Sequence, residues 1–232
     1  MKKLCFLMLL MSVLVTRNVL AGNWSVQESG ITKDLWSVHF VDVNNGWVVG
    51  EDGLILHTNN GGIIWKVQKS KVNVALCGIY FINKNNGWIG GRGGVQHTID
   101  GGINWEIQNV RVESTSIYFI DAKHGWVVGL VENGGIILHT NNSGKTWGTQ
   151  TIIGSSYFDW ISGVHFIDSM YGWAVGRQGI ILHTNDGGKT WATQTIGTDT
   201  ILEDIYFLDS KNGWIVGGSD IFHTDDSGIT WR

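Results

Sequence analysis

The stretch GVHFIDSMYGWAVGRQGIILHTNDGGKTWATQ, residues 163–194, decides the fold, because versions of it occur five times along the chain. Each version contains a Gly-Trp pair, an apolar run, a His-Thr pair, a short turn and a closing tryptophan. The closing tryptophans follow one another at intervals of 40 to 44 residues. This period, with several short strands in each unit, is typical of the blades of a β-propeller. The closing tryptophans are Trp65, Trp105, Trp147, Trp191 and Trp231.

The quoted copy divides into four strands. Residues 163–168 alternate in polarity and end on the turn-forming Asp168, and residues 172–176 and 179–184 are further apolar runs. The turn after Thr184 contains two glycines, which adopt positive φ without strain, and Trp191 opens the fourth strand. The sequence therefore predicts an all-β propeller of four-stranded antiparallel blades. The repeats span about residues 24–65, 66–105, 106–147, 148–191 and 192–232.

The ends of the chain bear on how the ring closes. Residues 24–27, Trp-Ser-Val-Gln, repeat the fourth-strand pattern, whereas the last copy stops at Trp231 and Arg232. The simplest interpretation is that the N-terminal strand completes the last blade and closes a five-bladed ring. However, Trp24 and Trp231 would then compete for one position, so the repeats could instead be part of a larger propeller.

Residues 1–21 have the pattern of a secretory signal peptide. Lys2 and Lys3 precede an apolar run over residues 4–15, and residues 19–21 resemble a small-residue cleavage site. The run is shorter than the ~20 residues that span a bilayer, which disfavours the alternative of an uncleaved anchor. We therefore expect export to the periplasm or the exterior, a propeller domain over residues 22–232, and no direct membrane insertion after cleavage.

Composition excludes several classes of partner. Cleavage would remove three basic residues and leave 13 basic against 20 acidic side chains, a formal net charge of −7. Such a surface repels nucleic acid and anionic lipid. Cys77 would be the one remaining cysteine, so no internal disulfide is expected. No motif for a cofactor is found.

The turn before each closing tryptophan resembles the Asp-box of sialidases and other propellers. A short carboxylate or amide in it can accept hydrogen bonds from the amides of its own turn, so we interpret the box as structural. The alternative, a calcium loop, would have too few oxygen ligands. The histidine before each box lies in a separate blade, so the five cannot converge on one metal, and we expect them to bond to turn backbone. The box residues are Asn60, Asp100, Asn142, Asp186 and Asp226, with the five closing tryptophans.

The full phrase, from Val38 to Gly50 and on to Trp65, resembles the photosystem II stability and assembly factor family of Asp-box (BNR-type) propellers. The resemblance implies a non-enzymatic, exported protein, lumenal in a photosynthetic host, that binds membrane-protein precursors while a complex is assembled. It implies a propeller that is usually seven-bladed. It also implies that arginines on one face engage the partner. Arg92 and Arg177 occupy equivalent loops between second and third strands and are candidates for carboxylate recognition. The alternative is solvated surface charge.

The copies differ in length at two places. The third copy carries extra residues at 130–133, and the link between the third and fourth copies is longer over residues 152–160. In a propeller both loop types emerge on one face, and insertions clustered on one face mark a binding surface. Tyr157, Phe158 and Trp160 are thus candidate interface anchors. They could also stack on a sugar or pack beneath the loop. Trp36 and Cys77 lie in corresponding links and are expected to line the central opening.

Glycan binding and sialidase-like hydrolysis are the alternative functions. A sialidase needs three arginines around the substrate carboxylate, a Tyr/Glu pair and a further acid. Only Arg92, Arg111, Arg177 and Arg232 remain after residue 21. A two-carboxylate glycosidase would have to draw on Asp159, Asp199, Glu203 and Asp204, whose spacing is not diagnostic. We therefore predict a protein-binding propeller that is not an enzyme.

Overall fold

The computed structural model describes residues 25–153 and 159–232. They form five sheets arranged as the blades of a propeller, which confirms the predicted fold class. Neighbouring strands within each blade run antiparallel, apart from one added edge strand. The signal-peptide prediction and Trp24 lie outside the described residues.

The first two blades have four strands each. Blade 1 contains β1 (Leu35–Phe40), β2 (Gly46–Gly50), β3 (Leu54–Thr58) and β4 (Lys66–Lys69), with a short 3-10 helix at Glu51–Gly53. Blade 2 contains β5 (Leu76–Phe81), β6 (Gly87–Gly91), β7 (Gly94–Thr98) and β8 (Glu106–Ile107).

The remaining blades vary in strand number. Blade 3 contains β9 (Glu113–Phe119), β10 (Gly125–Val131), β11 (Gly134–Thr140) and β12 (Gly148–Thr149). Blade 4 contains β14 (Ile161–Phe166), β15 (Gly172–Gly176), β16 (Ile180–Thr184) and β17 (Thr190–Thr195), with a 3-10 helix at Arg177–Gly179. The extra strand β13 (Thr151–Ile153) pairs with β17 in parallel. Blade 5 contains β18 (Asp204–Phe207), β19 (Gly213–Gly217) and β20 (Asp220–Thr224).

The Gly-Trp pair recurs because its glycine faces a phenylalanine ring. Gly172 pairs with Phe166 across β14 and β15, and a Cβ atom on this glycine would lie 2.4 Å from the ring. The other four blades have the same close approach, at 2.4 to 2.7 Å. Any larger residue would displace the ring, so the repeat requires glycine at this position.

The tryptophan of the same pair joins one blade to the next. Trp126 of blade 3 is fully buried and lies flat on Phe166 of blade 4, with ring centroids 3.6 Å apart. The closing Trp191 meets the same phenylalanine edge-on at 5.6 Å. Each such junction therefore buries one phenylalanine between two indoles, which is a large apolar contribution to stability. The equivalent stacks are Trp47 on Phe81, Trp88 on Phe119 and Trp173 on Phe207.

The Asp-box turns are held by their own side chains, as predicted. The Thr184 hydroxyl donates to Asp186 and accepts the Gly188 amide at 2.9 Å, while Asp186 accepts the Thr190 amide at 3.0 Å. In the last copy, hydrogen bonds led by the Thr230 hydroxyl lower the pKa of Asp226 to about 2. The box therefore acts as a local turn clamp in these copies.

The five repeated histidines have a different role from the one expected. We predicted hydrogen bonds to turn backbone, but each ring lies against the indole of its own blade's Gly-Trp pair. His57 pairs with Trp47 across β2 and β3, with ring centroids 4.7 Å apart. The reason is the strand register, which places the two side chains directly opposite each other.

The first strand of the quoted copy lies two residues earlier than predicted, at Ile161–Phe166 rather than at residues 163–168. It stops at Phe166 because the Asp168 carboxylate already accepts the amides of Met170 and Tyr171, which closes the turn.

The predicted pairing of the N-terminal segment with the last blade is wrong within the described residues. Residues 25–29 form no strand, and blade 5 keeps three strands. Gln27 instead donates to the carbonyl of Gly61 in blade 1, at 3.1 Å. The segment thus contacts the blade that follows it in sequence.

Over residues 25–153 and 159–232, no helix is long and apolar enough to cross a membrane.

Candidate functional site

A cavity of about 930 Å³ lies at the end of the blades where the second and third strands connect. Three arginines line it, from three separate segments. Arg92 lies in the turn between β6 and β7, Arg111 in the link between β8 and β9, and Arg177 in the 3-10 helix after β15. The prediction that loops and links of blades 2 to 4 share one face therefore corresponds to a real concave surface.

The long hairpin of blade 3 forms one wall of this arginine cavity. Its strands β10 and β11 are seven residues each, and Leu130, Val131 and Glu132 line the cavity at its tip. The extra residues 130–133 of the third copy form the tip of this hairpin. Val110 and Val112 of the preceding link add further aliphatic surface.

Arg177 is fixed by two neighbours in the second insertion. Its guanidinium Nη1 lies 3.5 Å from Asp159 Oδ2, and its Cζ lies 5.3 Å from the centroid of Trp160. The ion pair is half exposed on both sides and so contributes little to stability. The cation–π contact orients the guanidinium over the indole. Trp160 thus belongs to the site as an arginine support, whereas Tyr157 and Phe158 lie outside the described residues.

The other two arginines are available to a ligand. Within the described part of the chain, neither Arg92 nor Arg111 forms a salt bridge, and both are exposed. The cavity also contains the carboxylates Glu113 and Glu132. Its lining therefore combines unpaired guanidinium groups, carboxylates and half-buried aliphatic side chains.

Trp36 lies beside this site. It lines a smaller cavity of about 300 Å³ that includes Arg92, Asn73 and Glu51. It also reaches the central opening, a channel of about 240 Å³ lined by residues of all five blades, Cys77 among them. Burial raises the pKa of the Cys77 thiol, so this cysteine is a weak nucleophile at neutral pH.

Three of the carboxylates considered for a glycosidase are divided between two cavities. Asp159 lines the arginine cavity, while Glu203 and Asp204 line the central opening. Among the residues the structure describes, no group of three or more His, Cys, Asp or Glu side chains is arranged to hold a metal ion.

Sequence comparison assigns the family. The family model described as Photosynthesis system II assembly factor YCF48 matches three overlapping stretches, residues 16–113, 64–153 and 106–198. The chain belongs to the YCF48 family. This confirms the resemblance seen in the repeats. A comparison with curated proteins finds no matching relative.

Two solved YCF48 structures and a GH74 enzyme are similar to the chain, and the GH74 enzyme alone of these three supports the fold. YCF48 from Cyanidioschyzon merolae is 19% identical over 87% of this chain and 85% of its own, with a TM-score of 0.49. YCF48 bound to D1 peptide is 18% identical over 89% of this chain and 82% of its own, also at 0.49. An ancestral GH74 enzyme is 18% identical over 91% of this chain, with a TM-score of 0.74. This chain spans 32% of the GH74 enzyme, so that likeness concerns the propeller fold alone.

Arg111 is the site residue that sequence reasoning did not select. It was considered only as a sialidase arginine. The small number of arginines could have identified it. Just four arginines follow residue 24, and three of them lie in segments at one end of the blades.

Proposed function

We propose that this YCF48-family chain is a non-enzymatic, exported propeller that binds a protein partner at the arginine cavity. The observation that carries the proposal is the convergence of Arg92, Arg111 and Arg177 on one concave surface of an otherwise acidic chain. Guanidinium groups bind carboxylates in a planar, bidentate manner. The partner segment is therefore expected to present a carboxylate, from an acidic side chain or a chain end.

The rest of the lining suits a peptide. Leu130, Val131 and Val110 offer aliphatic contact beside the charged groups, which matches the mixed core and rim of protein interfaces. Glu113 and Glu132 would disfavour a uniformly acidic segment, since like charges repel. We expect a segment that carries one or two carboxylates next to apolar side chains.

Family membership supports a protein ligand. YCF48 has been solved with a bound D1 peptide, which supports a peptide ligand for a member of the same family. The identity of the partner here is a separate question. We propose a subunit or precursor of a membrane complex as its class, met on the outer side of the membrane after removal of residues 1–21.

Glycan binding is the second candidate, favoured by the fold shared with GH74 enzymes and by an indole, Trp160, on the wall of the cavity. Asp159 lies in the arginine cavity, whereas Glu203 and Asp204 lie in the central opening, so these three carboxylates do not form a single glycosidase site.

Affinity capture from the envelope of the host tests the proposal. The bait is the chain lacking residues 1–21, and retained material is identified by mass spectrometry. The test variant carries Arg92→Glu and Arg177→Glu. The matched control carries Arg232→Glu, which reverses a charge that pairs with Asp225 away from the cavity.

We expect a membrane-complex protein that is retained by the parent and the Arg232 variant and lost from the double variant. Retention of polysaccharide instead would favour the glycan alternative. Equal protein capture by all three baits would contradict the assignment of the site.

A further inference from the structure

One backbone position carries opposite charges in different blades. The amides of Glu51, Arg92 and Arg177 each donate to the carbonyl of the residue just before the first strand of their own blade, at 3.0 to 3.1 Å. All three residues begin the turn between the second and third strands. The three side chains therefore leave the backbone at equivalent places around the ring. Blades 2 and 4 present a guanidinium there, whereas blade 1 presents a carboxylate.

Arg177 shows how this end of the fold holds a guanidinium. Its Nη1 lies 3.5 Å from Asp159 Oδ2, and its Cζ lies 5.3 Å from the centroid of the Trp160 ring. A carboxylate attracts the cation by charge, and the face of the indole attracts it by cation–π interaction. The pair formed by a carboxylate and an indole is thus a cation-binding arrangement that this fold already uses.

The cavity beside the arginine cavity, here called the Trp36 cavity, offers the same two groups. It has a volume of about 300 Å³, lies between blades 1 and 2, and is lined by the Trp36 indole and the carboxylates of Glu51 and Asp52. Asp52 is paired with Lys33 at 3.1 Å. Among residues 25–153 and 159–232, no salt bridge involves Glu51 and no cation lies over Trp36. The Trp36 cavity therefore presents an indole and a carboxylate to a cation from outside the chain.

The contacts of Glu51 keep its carboxylate accessible. Its Oε2 accepts the Asp34 amide at 3.4 Å, and a carboxylate has about four acceptor positions. The side chain is partly exposed. This hydrogen bond therefore orients the carboxylate and leaves most of its acceptor capacity for a ligand.

The two cavities adjoin at one residue. Arg92 lines both of them, so a single extended segment can pass from one into the other. The guanidinium groups of Arg111 and Arg177 lie on one side of Arg92, and the Glu51 carboxylate lies on the other. A segment that spans both cavities thus meets groups that favour opposite charges.

We propose that the Trp36 cavity binds a lysine or arginine side chain of the same partner segment whose carboxylate binds the arginine cavity. The inference rests on the proposed function, since it assigns a second charge to that ligand. The cation packs on Trp36 and pairs with Glu51. Arg92 repels the cation from the arginine cavity and so fixes the direction of the segment. The partner segment is therefore dipolar, with its basic side chain towards blade 1.

The test uses short synthetic peptides of random sequence with free carboxyl termini, arrayed and incubated with the fluorescently labelled chain. Selected peptides are measured by fluorescence anisotropy, with and without replacement of their basic residue by glutamine. The test variant is Glu51→Gln, and Trp36→Ala is a second variant in the same cavity. Glu106→Gln is the matched control, because Glu106 is an exposed carboxylate on β8 that lines neither cavity.

We expect the parent to select peptides that carry both a carboxylate and a basic residue. Replacing the basic residue should weaken binding to the parent and to the Glu106 variant by ~5-fold. The same replacement should have little effect on binding to Glu51→Gln, because the group that recognises the cation is gone. Glu51→Arg should instead prefer an acidic residue at that position of the peptide.

The possible failures separate this inference from the proposed function. Selection of peptides by a carboxylate alone, with binding lost in Arg177→Gln, would overturn the inference and leave the proposed function standing. A preference for a basic residue that persists unchanged in Glu51→Gln would also overturn the inference. If the parent selected no peptide at all, both the inference and the proposed function would be contradicted.

Discussion

Replacing the glycine of a Gly-Trp pair tests the origin of the repeat. In Gly172→Ala the new methyl group would lie 2.4 Å from the ring of Phe166. That ring has nowhere to move, because Trp126 covers one face at 3.6 Å and the Trp191 indole meets it at 5.6 Å. Forcing an extra methyl group into such a core costs typically ~1–3 kcal/mol. We expect a loss at the upper end of that range, since two indoles must shift with the ring.

Gly46→Ala is the matched control within the same chain. Its methyl group would lie 2.5 Å from the ring of Phe40, a clash of nearly the same size. Phe40, however, is 41% exposed, and no tryptophan among residues 25–153 and 159–232 is stacked on its outer side, so the ring can rotate away. We expect a loss below ~1 kcal/mol.

Urea unfolding followed by tryptophan fluorescence measures both losses in the free energy of unfolding. In thermal unfolding, each kcal/mol lost corresponds to a fall in melting temperature of about 2–4 °C for a chain of this size. Equal destabilisation by the two changes, or a neutral Gly172→Ala, would refute the idea that a trapped phenylalanine enforces the glycine.

Three further outcomes follow from the same contacts. Thr184→Val removes the hydroxyl that accepts the Gly188 amide at 2.9 Å inside a buried turn. Leaving that amide unpaired should lower the free energy of unfolding in urea by ~1–3 kcal/mol. A neutral result would mean that the hydrogen bonds of the Asp-box do not stabilise its turn. Burial lowers the pKa of His165 to about 4. Below pH 6.5 the unfolded chain therefore binds a proton at this histidine that the folded chain does not bind. The free energy of unfolding should fall by about 3 kcal/mol between pH 6.5 and 4 because of this residue. His165→Tyr, which copies the residue of blades 2, 3 and 5, should remove that part of the pH dependence, and parallel curves for the two proteins would contradict the assignment. The Arg92→Glu, Arg177→Glu variant should unfold within ~0.5 kcal/mol of the parent, because both side chains are exposed; a large loss of stability would show that these arginines serve the fold.

The repeat made most of the fold predictable. A glycine before each Trp and a phenylalanine six residues earlier recur because one cross-strand contact recurs, and so the strands that carry them could be located. The histidines were misinterpreted because sequence spacing does not show which side chain lies opposite on the next strand. His57 faces Trp47 through the register of β2 and β3.

The ends of the chain were harder to predict for a physical reason. The pattern at residues 24–27 identifies a fourth-strand segment but not the sheet it joins. The structure places Gln27 on the turn of the following blade, through one hydrogen bond to Gly61. Exposure of Phe40 and Trp214 could not be read from residues that are identical in type to their buried counterparts.

The candidate site was predictable where it departs from the repeat. Arg92 and Arg177 stood out as two charges at equivalent positions, and the insertions marked the hairpin at Leu130 and the link at Trp160. Their convergence on one cavity depends on the relative placement of three blades, which no single repeat contains. For that reason Arg111 entered the site only through the structure.

Site-specific photocrosslinking in the host is the most direct test of the claim that the arginine cavity is the binding surface. A photoreactive residue is placed at Leu130, on the cavity wall, and in a second strain at Ile99, in an Asp-box turn. The account predicts a protein adduct from position 130 that disappears when Arg92→Glu and Arg177→Glu are added, and no such adduct from position 99. An adduct from position 99 with none from position 130 would contradict it.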